Sequence, residues 1–182
     1  MAKSQTDSTA DLSAHPLFAA LGAAAEQAEI FAYSVKVVCG KQADGGCCCV
    51  AGVRPGVYST EVNIQNINLV TASVGKLVLP LINSGAVIGR EPKVVDAATF
   101  ARQIDTVKLP PLAATMDDCC RIAELLLGAA PSGEAPLTIA ILTIVSLVEL
   151  SVSAVYTASP VSGDGVSIDV EYVPARLLRR GG

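Results

Sequence analysis

The segment "LSVSAVYTASPVSGDGVSIDVEYV", residues 150–173, contains two runs in which apolar and polar residues alternate. An alternation with period two places the apolar side chains on one face of a β-strand and the polar ones on the other. The turn-forming sequence "SGDG" separates the runs, so we predict antiparallel strands at 149–157 and 165–173. In both strands the apolar face should point into the core, which would bury Val152, Ile168 and Val170.

Similar patterns precede this hairpin. The segment "IFAYSVKVVC" (30–39) alternates in the same way, and a strand at 57–66 places Val62 and Ile64 inward. Two other segments, "KLVLPLI" (76–82) and "PLTIAILTIV" (136–145), are apolar on both faces, which is typical of strands covered on both sides. Pro80 cannot donate a hydrogen bond to a neighbouring strand, so we expect it at an edge or a bulge.

A helix is predicted within "LPPLAATMDDCCRIAELLLG" (109–128). Thr115 is a suitable N-cap, and Asp117 and Asp118 would lie near the positive end of the helix dipole. Gly128 can end the helix in a left-handed conformation.

These elements predict an antiparallel β-sandwich, Ig-like or jelly-roll-like, with one inserted helix. Strands and helices do not alternate along the chain as they would in a protein with a parallel sheet. A chain of 182 residues has room for one such domain. We assign 30–175 to the sandwich and 1–29 to an N-terminal extension with a short helix at about 16–28. Residues 176–182 are interpreted as a flexible basic tail.

Several strings resemble those of a group of bacterial single-domain β-sandwich proteins with no assigned activity. They are "RPGVYSTEVNIQN", "GREPKVV", "LPPLAATMDDC", "VELSVSAVYTA" and "GVSIDVEYV". The resemblance covers about residues 33–174 and implies a sandwich fold, without a catalytic or binding role for any residue.

The composition favours association with other protein surfaces. The chain is 51% hydrophobic and only 16% charged, whereas an average soluble domain has roughly 25% charged residues. So few charges cover a surface poorly, and we therefore expect part of the apolar surface to be buried against another subunit.

Other partners are not expected. A net charge of −4 without a basic stripe argues against nucleic-acid binding. The polar amino terminus does not resemble a signal peptide, and the apolar run at 137–150 is too short and too polar to span a bilayer. We expect a cytoplasmic location by default, or a cell-surface or extracellular one if the cysteines are cross-linked.

No residue pattern indicates an enzyme. His15 is the only histidine and lies in a segment that we expect to be mobile, whereas a nucleophile needs a base fixed within hydrogen-bond reach. Structural roles explain the carboxylates without catalysis. Two can cap a helix (Asp117, Asp118), three lie on outward strand faces (Glu61, Asp169, Glu171) and two lie in loops (Glu91, Asp105).

The six cysteines are the candidate cross-linking residues: Cys39, Cys47, Cys48, Cys49, Cys119 and Cys120. Their spacing is unlike that of zinc ligands, so we expect no metal and no cofactor. A disulfide from Cys39 to Cys47 or Cys49 would close a short loop, which leaves other thiols of the triplet free to reach another chain. Six reduced, inert thiols are the alternative.

We therefore expect a non-catalytic structural protein whose partner is itself, forming an oligomer or filament that disulfides reinforce. Apolar residues of the N-terminal extension are candidate assembly contacts, namely Leu17, Phe18 and Leu21. A binding module that uses the loops near 83–108 is the alternative, and a metal or thiol protein is the third. The terminal Gly181–Gly182 resembles the end of ubiquitin-like modifiers, although the predicted fold does not match them.

Overall fold

The computed structural model describes residues 16–19, 21, 29–42, 54–89, 93–95, 104–128, 135–161 and 165–178. Within these ranges the fold is mainly β, with ten strands in an antiparallel sheet and two short helices. The helices are α1 (Pro16–Ala19) and α2 (Cys119–Leu127). The strands are β1 (Ile30–Gln42), β2 (Gly56–Gln65), β3 (Ala72–Asn83), β4 (Ala86–Val87), β5 (Ile104–Leu109), β6 (Ala114–Asp117), β7 (Thr138–Ser146), β8 (Ser151–Ser159), β9 (Ser167–Tyr172) and β10 (Arg176–Leu178).

Strand β1 joins two groups of strands. Most of its length pairs with β7, and its first three residues also pair with β10. Beyond β7 this first group continues with β3, whose far edge pairs with β4 and β5. The last three residues of β1 pair instead with β2, which begins the second group with β6, β8 and β9.

A glycine marks the point where β1 passes from one group to the other. Gly40 has a φ of 94°, a conformation that side chains with a Cβ atom rarely adopt. A Cβ atom on Gly40 would lie 2.6 Å from the carbonyl oxygens of Ala135 and Pro136. The backbone therefore approaches the segment before β7 closely, and the Lys41 amide donates a hydrogen bond to the Ala135 carbonyl.

The two groups share one core. Val62, Ile64 and Val152 are fully buried in it, which confirms the predicted inward faces of β2 and β8. Each buried aliphatic side chain contributes about 1.5–3 kcal/mol to folding. The core also contains these residues from the first group: Tyr33, Val35, Val37, Val74, Val78, Leu142 and Ile144.

Strands β3 and β7 are buried along most of both faces, as their apolar sequences predict. The second face of these strands carries Leu77 and Val145, which pack beneath the N-terminal segment. The pairing of β3 with β7 shifts register between Pro80 and Ile82, so the proline lies at a bulge, as expected.

Helix α2 starts later than predicted. Thr115, the expected N-cap, lies in β6 opposite Ile64. The N-cap is Asp118, whose carboxylate accepts a hydrogen bond from the Arg121 backbone amide, and the helix ends at Gly128, with a φ of 77°, as expected. Asp117 belongs to β6 and does not cap the helix. Neither described helix has the length and hydropathy needed to cross a membrane.

The described residues of both predicted terminal extensions contact the domain. Of the expected helix at 16–28, the described residues show one turn, Pro16–Ala19, and the remainder beyond Leu21 lies outside them. The predicted flexible tail begins instead with β10, which pairs with Ile30–Ala32. This pairing covers the backbone edge of β1 at these three residues, which a mobile tail would leave unpaired.

Candidate functional site

The outer strand β9 exposes its apolar side to solvent. Val166, Ile168, Val170 and Tyr172 are each between 62% and 66% exposed, and we call these four residues the β9 apolar face. Ile168 and Val170 were expected in the core, so this part of the prediction is wrong. The strand itself lies where the alternation predicts it.

The pairing register explains this reversal. Val170 lies opposite Val155 of β8, and residues directly opposite each other in an antiparallel pair project from the same face of the sheet. Ala154, which is buried in the core, lies opposite Glu171. The carboxylate side of β9 therefore shares its face with the core residues, and the apolar side points away from the core.

The polar side of β9 shares a face with the core residues but lies beyond the edge of the core. Glu171 is exposed and accepts a hydrogen bond of 2.9 Å from the Tyr156 hydroxyl. Burial, followed by the hydrogen bond to Glu171 and the nearby charge of Asp169, raises the pKa of Tyr156 to about 12. The tyrosine stays neutral at physiological pH and holds the polar side of β9 against β8.

A second feature is a disulfide that the sequence did not predict. Cys39 at the end of the core face of β1 is bonded to Cys119 in the first turn of α2, 80 residues later. The expectation that Cys39 bonds to Cys47 or Cys49 is therefore wrong. Residues 47–49 themselves lie outside the described part of the chain.

Cys120 is a free and exposed thiol beside this disulfide. It borders a mostly apolar cavity of about 310 Å³ between α2 and the turn that joins β3 to β4. The cavity is also lined by Cys39, Cys119, Ser84, Leu126 and Pro136. Within the described ranges, no three metal-ligating side chains lie close enough together to hold an ion.

The third feature is a network of charged side chains that sequence reasoning missed. Lys76 of β3 and Asp117 of β6 are 3% and 2% exposed, and their Nζ and Oδ1 atoms are 2.8 Å apart. Lys76 also contacts Asp105 of β5, which is paired with Arg121 of α2. The sequence did contain one indication of this network, the lysine at the start of the otherwise apolar run "KLVLPLI". A charge in a strand that is covered on both sides needs a partner of opposite charge.

The Asp105 carboxylate is held in its ionised form. Burial by itself would raise the pKa of Asp105, but the hydrogen bond from Arg121 and the charge of Lys76 together hold it below its ordinary value. Arg121 in turn contacts Glu124 one turn along α2. The network therefore connects β3, β5, β6 and α2 at one end of the core.

The candidate assembly contacts of the N-terminal segment lie against their own chain. Leu17, Phe18 and Leu21 are buried with Leu77 and Val145 on the face of the first group that is turned away from the shared core. Among the other predicted residues, His15, Glu91 and the terminal glycine pair lie outside the described ranges.

The comparisons with known proteins name no family. No protein-family model matches the chain, and no curated protein matches it. The crystal structure of Thermotoga maritima 1070 matches with 11% identity, over 85% of this chain and 97% of that one, with a TM-score of 0.43. A likeness of this degree says nothing about function.

Proposed function

We propose that this chain is a non-catalytic structural protein whose two strand groups form a β-sandwich that self-associates through the β9 apolar face. The observation that supports the proposal is the exposure of all four residues of this face, Ile168, Val170 and Tyr172 on one side of β9 and Val166 directly before it. Scattered exposed apolar residues are ordinary, whereas a contiguous exposed row is typical of an interaction surface.

Burial of this row is energetically sufficient for association. Covering a Val, Ile or aromatic side chain contributes about 1.5–3 kcal/mol, so two copies that bury their faces against each other gain from eight side chains. Part of that gain offsets the lost freedom of the two molecules. A second copy is the natural occupant, because a chain with only 16% charged residues has little other means of covering apolar surface.

The contact is expected between sheet faces and not between strand edges. Antiparallel pairing of β9 with a second β9 about Val170 would place Asp169 of each copy opposite Glu171 of the other. Like charges opposite each other destabilise a strand pair, and charged edge strands are a common protection against edge-to-edge pairing. A two-fold face-to-face contact gives a closed dimer, and a contact without that symmetry continues into a filament.

Cross-links between copies belong to the same proposal. Cys119 is already bonded within the chain, so the cysteines proposed to bond to a neighbour are Cys120, a free thiol, and the triplet at 47–49. Cys120 is exposed in the first turn of α2 and is not part of the β9 apolar face. Non-covalent contact and covalent reinforcement can therefore be removed separately.

Sedimentation equilibrium of the reduced full chain tests the non-covalent contact. The double variant Ile168→Thr/Val170→Thr keeps the β-branched shape that suits a strand but removes two apolar contacts from each copy. We expect the wild type to associate and this variant to do so about 10,000-fold more weakly, since a dimer of the variant loses four apolar contacts, which cost about 6 kcal/mol.

Leu69→Ser is the matched control, because Leu69 is 82% exposed but lies in the turn before β3 and outside the β9 apolar face. It should associate as the wild type does. A wild type that stays monomeric at the highest attainable concentration would contradict the proposal. Equal association of the double variant and the wild type would contradict the assignment of the surface.

The cavity beside α2 supports a second candidate, a module that binds an apolar ligand. Its volume of about 310 Å³ is at the lower end of the range for small-molecule sites, and its lining is mostly apolar. Under this alternative Leu126→Arg would abolish uptake of an apolar fluorescent probe without changing the association state. A probe signal that follows association instead favours the β9 apolar face as its binding site.

A further inference from the structure

The buried pair Lys76–Asp117 connects the two strand groups through the core. Lys76 lies on β3 between Val74 and Val78, which both point into the shared core, and Asp117 lies opposite the buried Val62. The ammonium nitrogen of one group is thus 2.8 Å from a carboxylate oxygen of the other. An ion pair in such a position is costly, because both charges have lost their water.

Asp117 is incompletely satisfied as a carboxylate. Its Oδ2 atom is buried and accepts no hydrogen bond from any described residue. A buried acceptor without a donor destabilises the folded state, and native proteins contain few of them. A reaction that removes this oxygen and both charges would therefore remove the energetic cost of burying them.

A third group is in place to move protons. Asp105 lies opposite Lys76 in the pairing of β5 with β3, and its Oδ2 atom is 3.2 Å from the Lys76 nitrogen. Arg121 holds the same oxygen from the other side at 2.7 Å. Amine and carboxyl group are therefore fixed together away from bulk water, and the half-buried Asp105 carboxylate contacts the amine from the rim of the core.

We propose that Lys76 and Asp117 condense spontaneously after folding into an intramolecular isopeptide bond, with Asp105 as the catalytic base. The burial of both partners and the contact of Asp105 with the reacting nitrogen support this reaction. Its product is a covalent link between β3 and β6, so the two strand groups can no longer separate at that end of the core.

The reaction needs no oxidant, metal or co-reactant. In the low-dielectric core one proton passes from the Lys76 ammonium to the Asp117 carboxylate, which leaves a neutral amine and a carboxylic acid. The amine nitrogen attacks Cγ of Asp117 and forms the C–N bond. Asp105 then takes a second proton from this nitrogen and gives it to the hydroxyl oxygen, which leaves as water when the C–O bond breaks. The third lysine proton remains on the amide, and Asp105 ends as it began.

Arg121 has two opposite effects on this step. It positions Asp105, but it also makes the carboxylate a weaker base, because the paired charge stabilises the ionised form. The bond should therefore form slowly after folding, and the measurement has to follow the protein over time.

The test is the intact mass of the full chain, measured after reduction and unfolding, during incubation of freshly purified protein. We expect the wild type to lose the mass of one water, and a tryptic digest to contain the Lys76 and Asp117 peptides joined together. An aspartyl succinimide also loses one water but leaves these two peptides separate.

Lys76→Arg is the matched control, since arginine keeps the charge and the hydrogen-bond donors but does not condense with a carboxylic acid. It should retain its full mass. Asp105→Asn should slow the loss of water by about 100-fold, the usual contribution of a positioned base. A wild type that keeps its full mass, or a Lys76→Arg variant that loses the same water, would overturn the proposal.

Discussion

The disulfide between Cys39 and Cys119 allows a quantitative prediction about stability. Because 80 residues separate the two cysteines, the bond restricts a large part of the unfolded chain. The loop-closure entropy of an 80-residue loop corresponds to about 4.5 kcal/mol at 25 °C. The pairing expected from the sequence, Cys39 with Cys47, would close a loop of eight residues, for which the same relation gives about 2.5 kcal/mol.

The assay uses a variant in which only Cys39 and Cys119 remain and the other four cysteines are serine. We expect the free energy of unfolding, measured with urea, to be about 4.5 kcal/mol higher for the oxidised form of this variant than for its reduced form. Reduction isolates the cross-link, because the reduced Cys119 thiol can keep its contact with the Thr60 amide, 3.3 Å away.

A matched variant retains only Cys39 and Cys47. Since the structure places the Cys39 sulfur against α2, this variant should form no disulfide when folded, and a reductant should leave its unfolding curve unchanged. The reasoning would be refuted if the Cys39/Cys119 variant stayed reduced, or if the Cys39/Cys47 variant showed the larger stabilisation.

Two further predictions concern cross-linking and pH. Non-reducing gels of the wild type should show a ladder of oligomers that a reductant removes. A variant with serine at 47–49 and at 120 should show no ladder, whereas Cys120→Ser alone should remove only part of it. A wild type without a ladder under oxidising conditions would contradict covalent reinforcement. Because Arg121 and Lys76 lower the pKa of Asp105 below 3.8, its contribution to stability is complete above that pH and is lost as the pH falls further. The wild type should therefore lose more unfolding free energy between pH 6 and pH 3 than Asp105→Asn does, and equal losses would exclude this role.

The sequence by itself determined most of the strands. Strict alternation in β2 and β8 correctly indicated that Val62, Ile64 and Val152 lie in the core, because a two-residue period has only one apolar face to bury. Apolar residues on both faces likewise indicated the central strands β3 and β7. Pro80 and Gly128 revealed a bulge and a helix end, since both residues act through their own backbone geometry.

Local sequence preference did not identify the N-cap of α2, because two residues were suitable for it. Thr115 and Asp118 are both good N-caps, and the pairing of β6 with β2 decided between them by extending the strand through Asp117. Asp117 then became the partner of Lys76, which is 41 residues away in sequence. A capping preference is a property of a few neighbouring residues, and it contains no information about a distant lysine.

Only the tertiary structure decided which way β9 faces and which cysteine Cys39 meets. Alternation shows that the two sides of β9 differ, but the side turned inward depends on the register with β8, and a shift of one residue reverses it. The Cys39–Cys119 bond likewise depends on α2 lying over the end of β1, since a disulfide requires its two Cα atoms to be close, here 5.6 Å apart. Both outcomes are set by contacts between segments far apart in the chain, which periodicity and spacing along the sequence do not encode.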